Sequence, residues 1–152
     1  MRIVAKGLQI RPMAEEDFHD VFRLYRQVVS RNTSDSEFDF FQIFKSFLGN
    51  TAREAYVATV HQRVIGLVTL YYLDVMRHCG QIASIQELVV TEEFQGRGVG
   101  EALLEFVKAK VKEKNCRGLE VAADPWQKKA KTFYEQCGWH GKILNFNCSN
   151  LI

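Results

Sequence analysis

The spacing of apolar positions changes repeatedly along the chain, and each change marks an element. Leu8 to Arg11 reads as a short strand stopped by Pro12. Phe18, Val21, Phe22, Tyr25, Val28 and Val29 then recur at helical spacing behind the acidic turn Glu15-Glu16-Asp17, whose charges suit a helix N-terminus. After the polar stretch Arg31 to Ser36, a second helix is marked by Phe38, Phe41, Phe44 and Leu48, with Ser34, Asp35 or Ser36 to cap it and Gly49-Asn50 to stop it. Tyr56 to Val60 and Val64 to Leu73 read as strands joined by the tight polar link His61-Gln62-Arg63. Asp74 to Gln81 reads as a polar loop, and Ile82 to Val90 as another strand, rich in β-branched residues.

A glycine-rich turn, Gln95 to Gly100, leads into a long amphipathic helix with Val99, Leu103, Phe106, Val107 and Val111 on its apolar stripe and Asn115 at its end. Gly118 to Ala122 is a short strand. Asp124-Pro125 supplies a cap and a first-turn proline for a helix carrying Ala130, Phe133, Tyr134 and Cys137, closed by Gly138. Trp139 to Asn147 reads as the last strand. The predicted order is β-α-α-β-β-β-α-β-α-β, an α/β or α+β domain layered around a mixed sheet. It lacks the regular alternation of a doubly wound fold. With no repeat and no internal boundary, residues 1–152 are expected to form one domain.

Composition narrows the function classes without choosing one. A 47% hydrophobic chain of this length buries a core without a disulfide or metal staple. A formal net charge of +2 carries no general footprint for nucleic acid. Charges interrupt the first residues, Met1 to Gly7, where a leader needs an apolar run, and no later stretch approaches the ~20 apolar residues of a membrane span. Neither nucleic acid nor membrane is therefore expected as a partner. Cys79, Cys116, Cys137 and Cys148 are widely separated and have no histidine at zinc-ligand spacing, so they are expected as buried or half-buried free thiols of a cytoplasmic protein, with no metal. His19, His61, His78 and His140 form no ligand set.

Gln95-Gly96-Arg97-Gly98-Val99-Gly100 carries the strongest chemical signal. Glycines between a strand and a helix let the backbone approach a ligand and turn its N–H groups toward it. With the positive end of the helix behind them, they suit a phosphate or pyrophosphate. The turn lacks the Gly-Lys-Ser/Thr ending of a Walker loop, and Glu101 stands where a dinucleotide-binding loop has its third glycine. Arg97 either adds a charge to the site or is simply solvated.

Gln95-x-x-Gly98-x-Gly100, preceded by Ile85-Gln86-Glu87-Leu88-Val89-Val90, resembles the acetyl-CoA motif of the GNAT N-acetyltransferases. Ala130 to Trp139 resembles the late A-x-x-F-Y-E-x-x-G-F/W motif of the same family. Order and spacing fit from Leu8 to Trp139. The resemblance implies a mostly antiparallel central sheet flanked by helices, with acetyl-CoA as co-substrate. It places the pantetheine arm along the backbone of Leu88, Val89 and Val90, and the pyrophosphate on the amides of Gln95, Gly96, Arg97, Gly98, Val99 and Gly100. Gln127 stands where the family often has an asparagine contacting coenzyme A.

Acetyl transfer to an amine needs a base, an oxyanion donor and an acid for the leaving thiolate. Glu87, a carboxylate on an otherwise apolar strand, is the candidate base, directly or through water; the other reading is an outward-facing or salt-bridged residue. The N–H of Leu88 or a neighbour is the candidate oxyanion donor. Tyr134 matches the family's tyrosine near the thioester sulfur and is the candidate acid; as a residue at helical spacing with Ala130, Phe133 and Cys137 it also reads as core. Cys137 fits an apolar helix face better than an acetyl carrier.

The acceptor is less clearly encoded. Val64 to Val90 looks most like the small-molecule branch that includes aminoalkylphosphonate and aminoglycoside acetyltransferases. Arg77 and His78 are candidates to meet an anionic acceptor, whereas no acidic surface suits a polycationic one. Phe38, Phe40, Phe41, Phe44 and Phe47 read as core or as an acceptor wall. The expected activity is transfer of an acetyl group to the primary amine of a small molecule, by direct attack with both substrates held together. A protein or peptide N-acetyltransferase, a non-catalytic acyl-CoA sensor, and a homodimer remain open.

Overall fold

A computed structural model describes residues 4–28, 36–122, 128–139 and 145–147. In chain order they form β1 (Gln9–Pro12), α1 (Phe18–Val28), α2 (Glu37–Ser46), β2 (Arg53–Val60), β3 (Arg63–Val75), β4 (Gly80–Val90), α3 (Val99–Glu113), β5 (Leu119–Ala122), α4 (Lys128–Gln136) and β6 (Asn145–Asn147). This is the predicted order. Val29, Ser34, Asp35, Asp124, Pro125, Gln127, His140 and Cys148 lie outside the described residues.

The six strands lie side by side in sequence order. Neighbours are antiparallel except β4 and β5, which run parallel across the α3 connection. The sheet is therefore mixed and mostly antiparallel, as expected. Buried apolar side chains divide between its two faces. Val99, Leu103, Leu104, Val107 and Val111 of α3 pack with Tyr134 of α4 on Val68, Leu70, Ala83 and Ile85. Val21 and Leu24 of α1 and Phe44 of α2 pack on Val57, Leu67 and Val89. Each helix buries a stripe against one face, but not always the expected one: Phe38, read as part of the α2 stripe, is exposed, and Leu24, outside the expected α1 stripe, is buried. Ser36, among the three candidate caps, accepts from the Asp39 amide at 3.2 Å.

Several boundaries differ from expectation; Pro12, expected to stop β1, pairs with Tyr56 as its last residue. The β2–β3 link is only His61-Gln62, both in left-handed backbone at φ 48° and 67°, which matches the twist of a two-residue hairpin; Arg63 already belongs to β3. Half of the expected Asp74 to Gln81 loop is ladder: Asp74 pairs with Gln81 and Val75 with Gly80, leaving a turn at Met76 to Cys79. Cross-strand pairing supports polar residues there that composition assigns to a loop. Trp139 belongs to no strand. Its N–H donates to the Tyr134 carbonyl at 2.9 Å, closing α4, and its side chain is fully buried. The thiols also differ in part: Cys116 is buried and Cys137 half-buried, but Cys79 is exposed. No described helix is long and apolar enough to cross a membrane.

An ion pair between a half-exposed arginine and a buried aspartate fixes the entry to α1. Arg11 of β1 donates to both carboxylate oxygens of Asp17, at 2.7 and 2.8 Å, and the Ala14 N–H donates to the same carboxylate at 2.8 Å. Burial alone would raise the Asp17 pKa, but the bonds from Arg11 and Ala14 outweigh it and hold the carboxyl below its ordinary value. The contribution is therefore complete above the ordinary aspartate pKa and is lost as pH falls through the lower folded value. Asp17→Ala should lower unfolding free energy by about 2–3 kcal/mol near neutral pH, with the gap to wild type closing on acidification, as read by urea denaturation.

Candidate active site

The site begins with a misfit between two strands. Thr69 of β3 pairs with Glu87 of β4, but the next residue, Leu70, pairs with Ile85, so Gln86 is an extra residue on β4. The bulge reverses which residues face which side. Ala83 and Ile85 before it pack with α3, whereas Val89 after it packs with α1 and α2. Glu87 shares the side of Val89, and with Thr69 it opens onto a cavity of about 360 Å³ under α1 and α2. Phe22 and Tyr25 of α1, Phe40 and Phe44 of α2, and Phe47 line the cavity.

Glu87 is half-buried and held from two directions. Its amide donates to Thr69 Oγ1 at 3.1 Å, and the Thr69 hydroxyl donates back to its carboxylate. Burial raises the Glu87 pKa, and the Thr69 bond pulls partly against that rise. The negative charge is felt nearby: burial and then Glu87 raise the Tyr71 phenol, against Arg53. Neither an outward-facing nor a salt-bridged glutamate describes this residue among the described contacts. It is a carboxylate in an aromatic wall, with its proton affinity raised.

The opposite property belongs to the backbone of the same strand. The Glu87 and Thr91 amides point toward β3, to Thr69 Oγ1 and to the Ile65 carbonyl at 2.9 Å. Strand alternation turns the N–H groups of Leu88 and Val90 to the other edge, and that of Val89 toward β3. On that other edge β5 pairs only with Ala83, Ser84 and Ile85 among the described residues. Among the described residues no strand pairs with β4 beyond Ile85 on that edge, so among them Leu88 faces a gap with both backbone groups and Val90 with its N–H, its carbonyl accepting from the Gln95 side chain. Val89, expected to share that role, has its backbone toward β3 and its side chain in the core.

The glycine turn lies at the end of this edge. Gly96 and Gly98 adopt left-handed backbone, at φ 75° and 80°, which other residues reach only with strain. Gly100 is needed for a different reason: a Cβ there would lie 3.1 Å from the Phe133 ring of α4 and 3.7 Å from Leu88. The close approach brings β4, the start of α3 and α4 together. The N–H groups of Gly96 to Gly100 make no backbone hydrogen bond among the described residues, while the Ala102 N–H donates to the Gly98 carbonyl at 3.0 Å. Five amides at a helix start are the donor set that a pyrophosphate takes. Gln95 differs from expectation: its N–H donates to the Glu92 carbonyl at 3.3 Å, and its side-chain amide donates to the Val90 carbonyl at 2.9 Å, tying the turn to β4. Val99 offers only its amide, its side chain being buried in the core. Arg97 is exposed, with its guanidinium 5.3 Å from the Phe94 ring centroid.

Tyr134 is 5% exposed, packed between Phe133 and Trp139 with ring centroids 5.1 and 5.6 Å away. Burial raises its pKa well above the ordinary phenol value, so it is protonated at neutral pH. Cys137 sits half-buried in the turn just past the end of that helix, partly packed on that core. Arg77 and His78 are not brought to the site. The hairpin turn that carries them is about 20 Å along β4 from Glu87 at strand rise, and Arg77 is paired with Glu120. Among the described residues no cluster of acidic, histidine or cysteine side chains is set to hold a metal.

Comparison with known proteins draws these parts together. The model of the acetyltransferase (GNAT) family matches residues 15–139. The chain belongs to that family. Two GNAT-type relatives are similar in sequence. Glucosamine 6-phosphate N-acetyltransferase of Arabidopsis thaliana is 31% identical over 72 residues, 47% of this chain and 46% of the relative, so the match spans less than half of that protein. Aminoalkylphosphonate N-acetyltransferase of Salmonella typhimurium is 23% identical over 145 residues, 91% of this chain and 88% of the relative. In fold, the chain is similar to the aminoglycoside N-acetyltransferase AAC(6′)-Iy in complex with CoA, with a TM-score of 0.78 and 17% identity over 92% of this chain and 93% of that one.

Two parts of this GNAT site were not foreseen from the sequence: Thr69 as the partner of Glu87, and the wall of Phe22, Tyr25 and Asp39. Only the excess of aromatic residues on two short helices signalled the wall. Replacing Thr69 with valine keeps the side chain's shape and removes the one hydrogen bond that favours ionised Glu87. The Glu87 pKa should therefore move further upward in Thr69→Val, read by carbon-detected NMR titration of the labelled carboxyl; no change, or a downward shift, would contradict the assigned contact.

Proposed function

We propose that the protein is an acetyl-CoA-dependent N-acetyltransferase, one domain over residues 1–152, that acetylates the primary amine of a small molecule in a ternary complex in the cytoplasm. One observation carries the reading: β4 offers a carboxylate to a half-open cavity on one face and, at Leu88, backbone groups that no described strand pairs to the gap on its edge. An amine in the cavity and a thioester in the gap would meet beside Leu88. The two supports come from a single strand, so their separation is set by the backbone and not by flexible side chains.

The residues fit the cofactor. Leu88 and Val90 would pair their backbone with the pantetheine arm, and the amides of Gly96, Arg97, Gly98, Val99 and Gly100 would hold the pyrophosphate. Gln95 would keep that turn in place, and Gln127 is proposed as a further contact. When bound, acetyl-CoA supplies the acetyl group and a thiolate leaving group. Glu87 removes a proton from the ammonium, directly or through one water, so that the nitrogen presents a lone pair. Its raised pKa brings it closer to the optimum for proton transfer near neutrality. As the carbon–nitrogen bond forms, the Leu88 N–H donates to the carbonyl oxygen that gains charge. As the carbon–sulfur bond breaks, Tyr134 gives its hydroxyl proton to sulfur and recovers one from water. The second proton on nitrogen leaves to solvent, and Glu87 releases the first.

Free thiols, one of them exposed, suit a reducing compartment. Glu87→Gln should lower kcat/KM for an accepted amine by about 10²–10⁴-fold, and Tyr134→Phe should lower kcat, while calorimetry still finds coenzyme A bound to both. Unchanged turnover in both variants would remove the acid and base roles. Absence of coenzyme A binding by the wild-type protein would remove the cofactor site.

A further inference from the structure

The cavity wall speaks to the chemistry of the acceptor beyond its amine. Its phenylalanines and Tyr25 come from both early helices, and its polar margin is Ser36, Asp39, Thr69 and Glu87. Apart from Tyr25, the groups there that ionise are two acids. No lysine, arginine or histidine lines the cavity among the described residues. Three cations lie behind the wall and outside the lining: Arg26 over Phe22 at 5.6 Å, Lys45 over Phe41 at 5.4 Å, and Arg53, whose Nε is buried without a hydrogen-bond partner. Arg53 holds its guanidinium against the Phe47 and Tyr71 rings, at 5.8 and 5.1 Å, and donates to Ser46 Oγ at 2.9 Å.

Resting on the acetyl-transfer reading, we infer that the acceptor is a primary amine with a compact apolar or single-ring aromatic body and no anionic group. An ammonium is drawn inward by exposed Asp39, by the faces of the aromatic rings and finally by Glu87. A phosphate, phosphonate or carboxylate on the same molecule would face two carboxylates without a partner. A sugar would bury hydroxyls against phenylalanine rings, where they lose water and find few donors or acceptors. A volume of about 360 Å³ lies at the lower end of ligand pockets and suits a body of one ring. The inferred class differs from the acceptors named for the Arabidopsis and Salmonella relatives, both of which carry phosphorus acids.

The test is thiol release from acetyl-CoA with 2-phenylethylamine, isoamylamine, 2-aminoethylphosphonate and glucosamine 6-phosphate, paired with calorimetry of 2-phenylethylamine on the coenzyme A complex. The two apolar amines should exceed both anionic ones by about tenfold or more in kcat/KM. Asp39→Asn, an exposed change that leaves the core intact, should raise KM for 2-phenylethylamine about threefold, and added salt should do the same to wild type. Equal or better turnover of either anionic amine overturns the inference, as does an unchanged KM in Asp39→Asn. Binding of 2-phenylethylamine without turnover of any amine upholds the pocket and overturns the acetyl-transfer reading. Neither binding nor turnover of the apolar amines overturns the pocket.

Discussion

Thr69 accepts from the Glu87 amide and donates to the Glu87 carboxylate, and this double contact holds the register at which β4 gains its extra residue. Without the bulge, alternation would put Glu87 on the same face as Ile85, within the core under α3. An unpaired carboxylate there would cost several kcal/mol or lose its charge. The bulge moves it to the face of α1 and α2, where it is half-buried and opens onto a cavity. The same displacement turns the backbone groups of Leu88 and the N–H of Val90 to the edge that no described strand pairs. One local irregularity therefore produces both halves of the site.

The remaining structure keeps those halves in place by packing. Helix α3 buries Val99, Leu103, Leu104, Val107 and Val111 against the sheet, which fixes the direction in which its first amides point. Phe133 presses on Gly100 and so holds α4, with Tyr134, beside the same turn. The Gln95 side chain ties the turn to the last carbonyl of β4. On the other face, Arg11 and Asp17 fix the entry of α1, whose inner stripe supplies part of the cavity wall. Little of this relies on surface charge. With a net charge of +2, a polyanionic cofactor has to be held mainly by directed backbone amides.

Much of the fold was readable because periodicity is a local property. The order of strands and helices, Ser36 as a cap, and the strand-turn-helix around Gly96 to Gly100 all follow from neighbouring residues. What required the structure was pairing between distant segments. Polar Asp74 and Gln81 look like loop residues alone but are partners across a hairpin. Arg77 and His78 stand near β4 in sequence, yet the strand carries them to the far end of the sheet. Glu87 was visible as an odd carboxylate, but its orientation depended on a bulge set by Thr69, eighteen residues away. Val89 and Gln95 were assigned to the cofactor by the family resemblance, but only hydrogen bonding separates the amides that face the gap from those already engaged.

The account centres on Glu87 facing an amine in the cavity while the thioester lies at the adjoining edge of the same strand, beside Leu88. A crystal structure of the protein with coenzyme A and a bound primary amine tests that arrangement directly. The amine nitrogen should lie within about 2.6–3.2 Å of the Glu87 carboxylate, or one water away, with the sulfur in the gap beside Leu88. An amine seated outside the cavity, or coenzyme A bound away from Leu88 and the Gly96 to Gly100 turn, would contradict it.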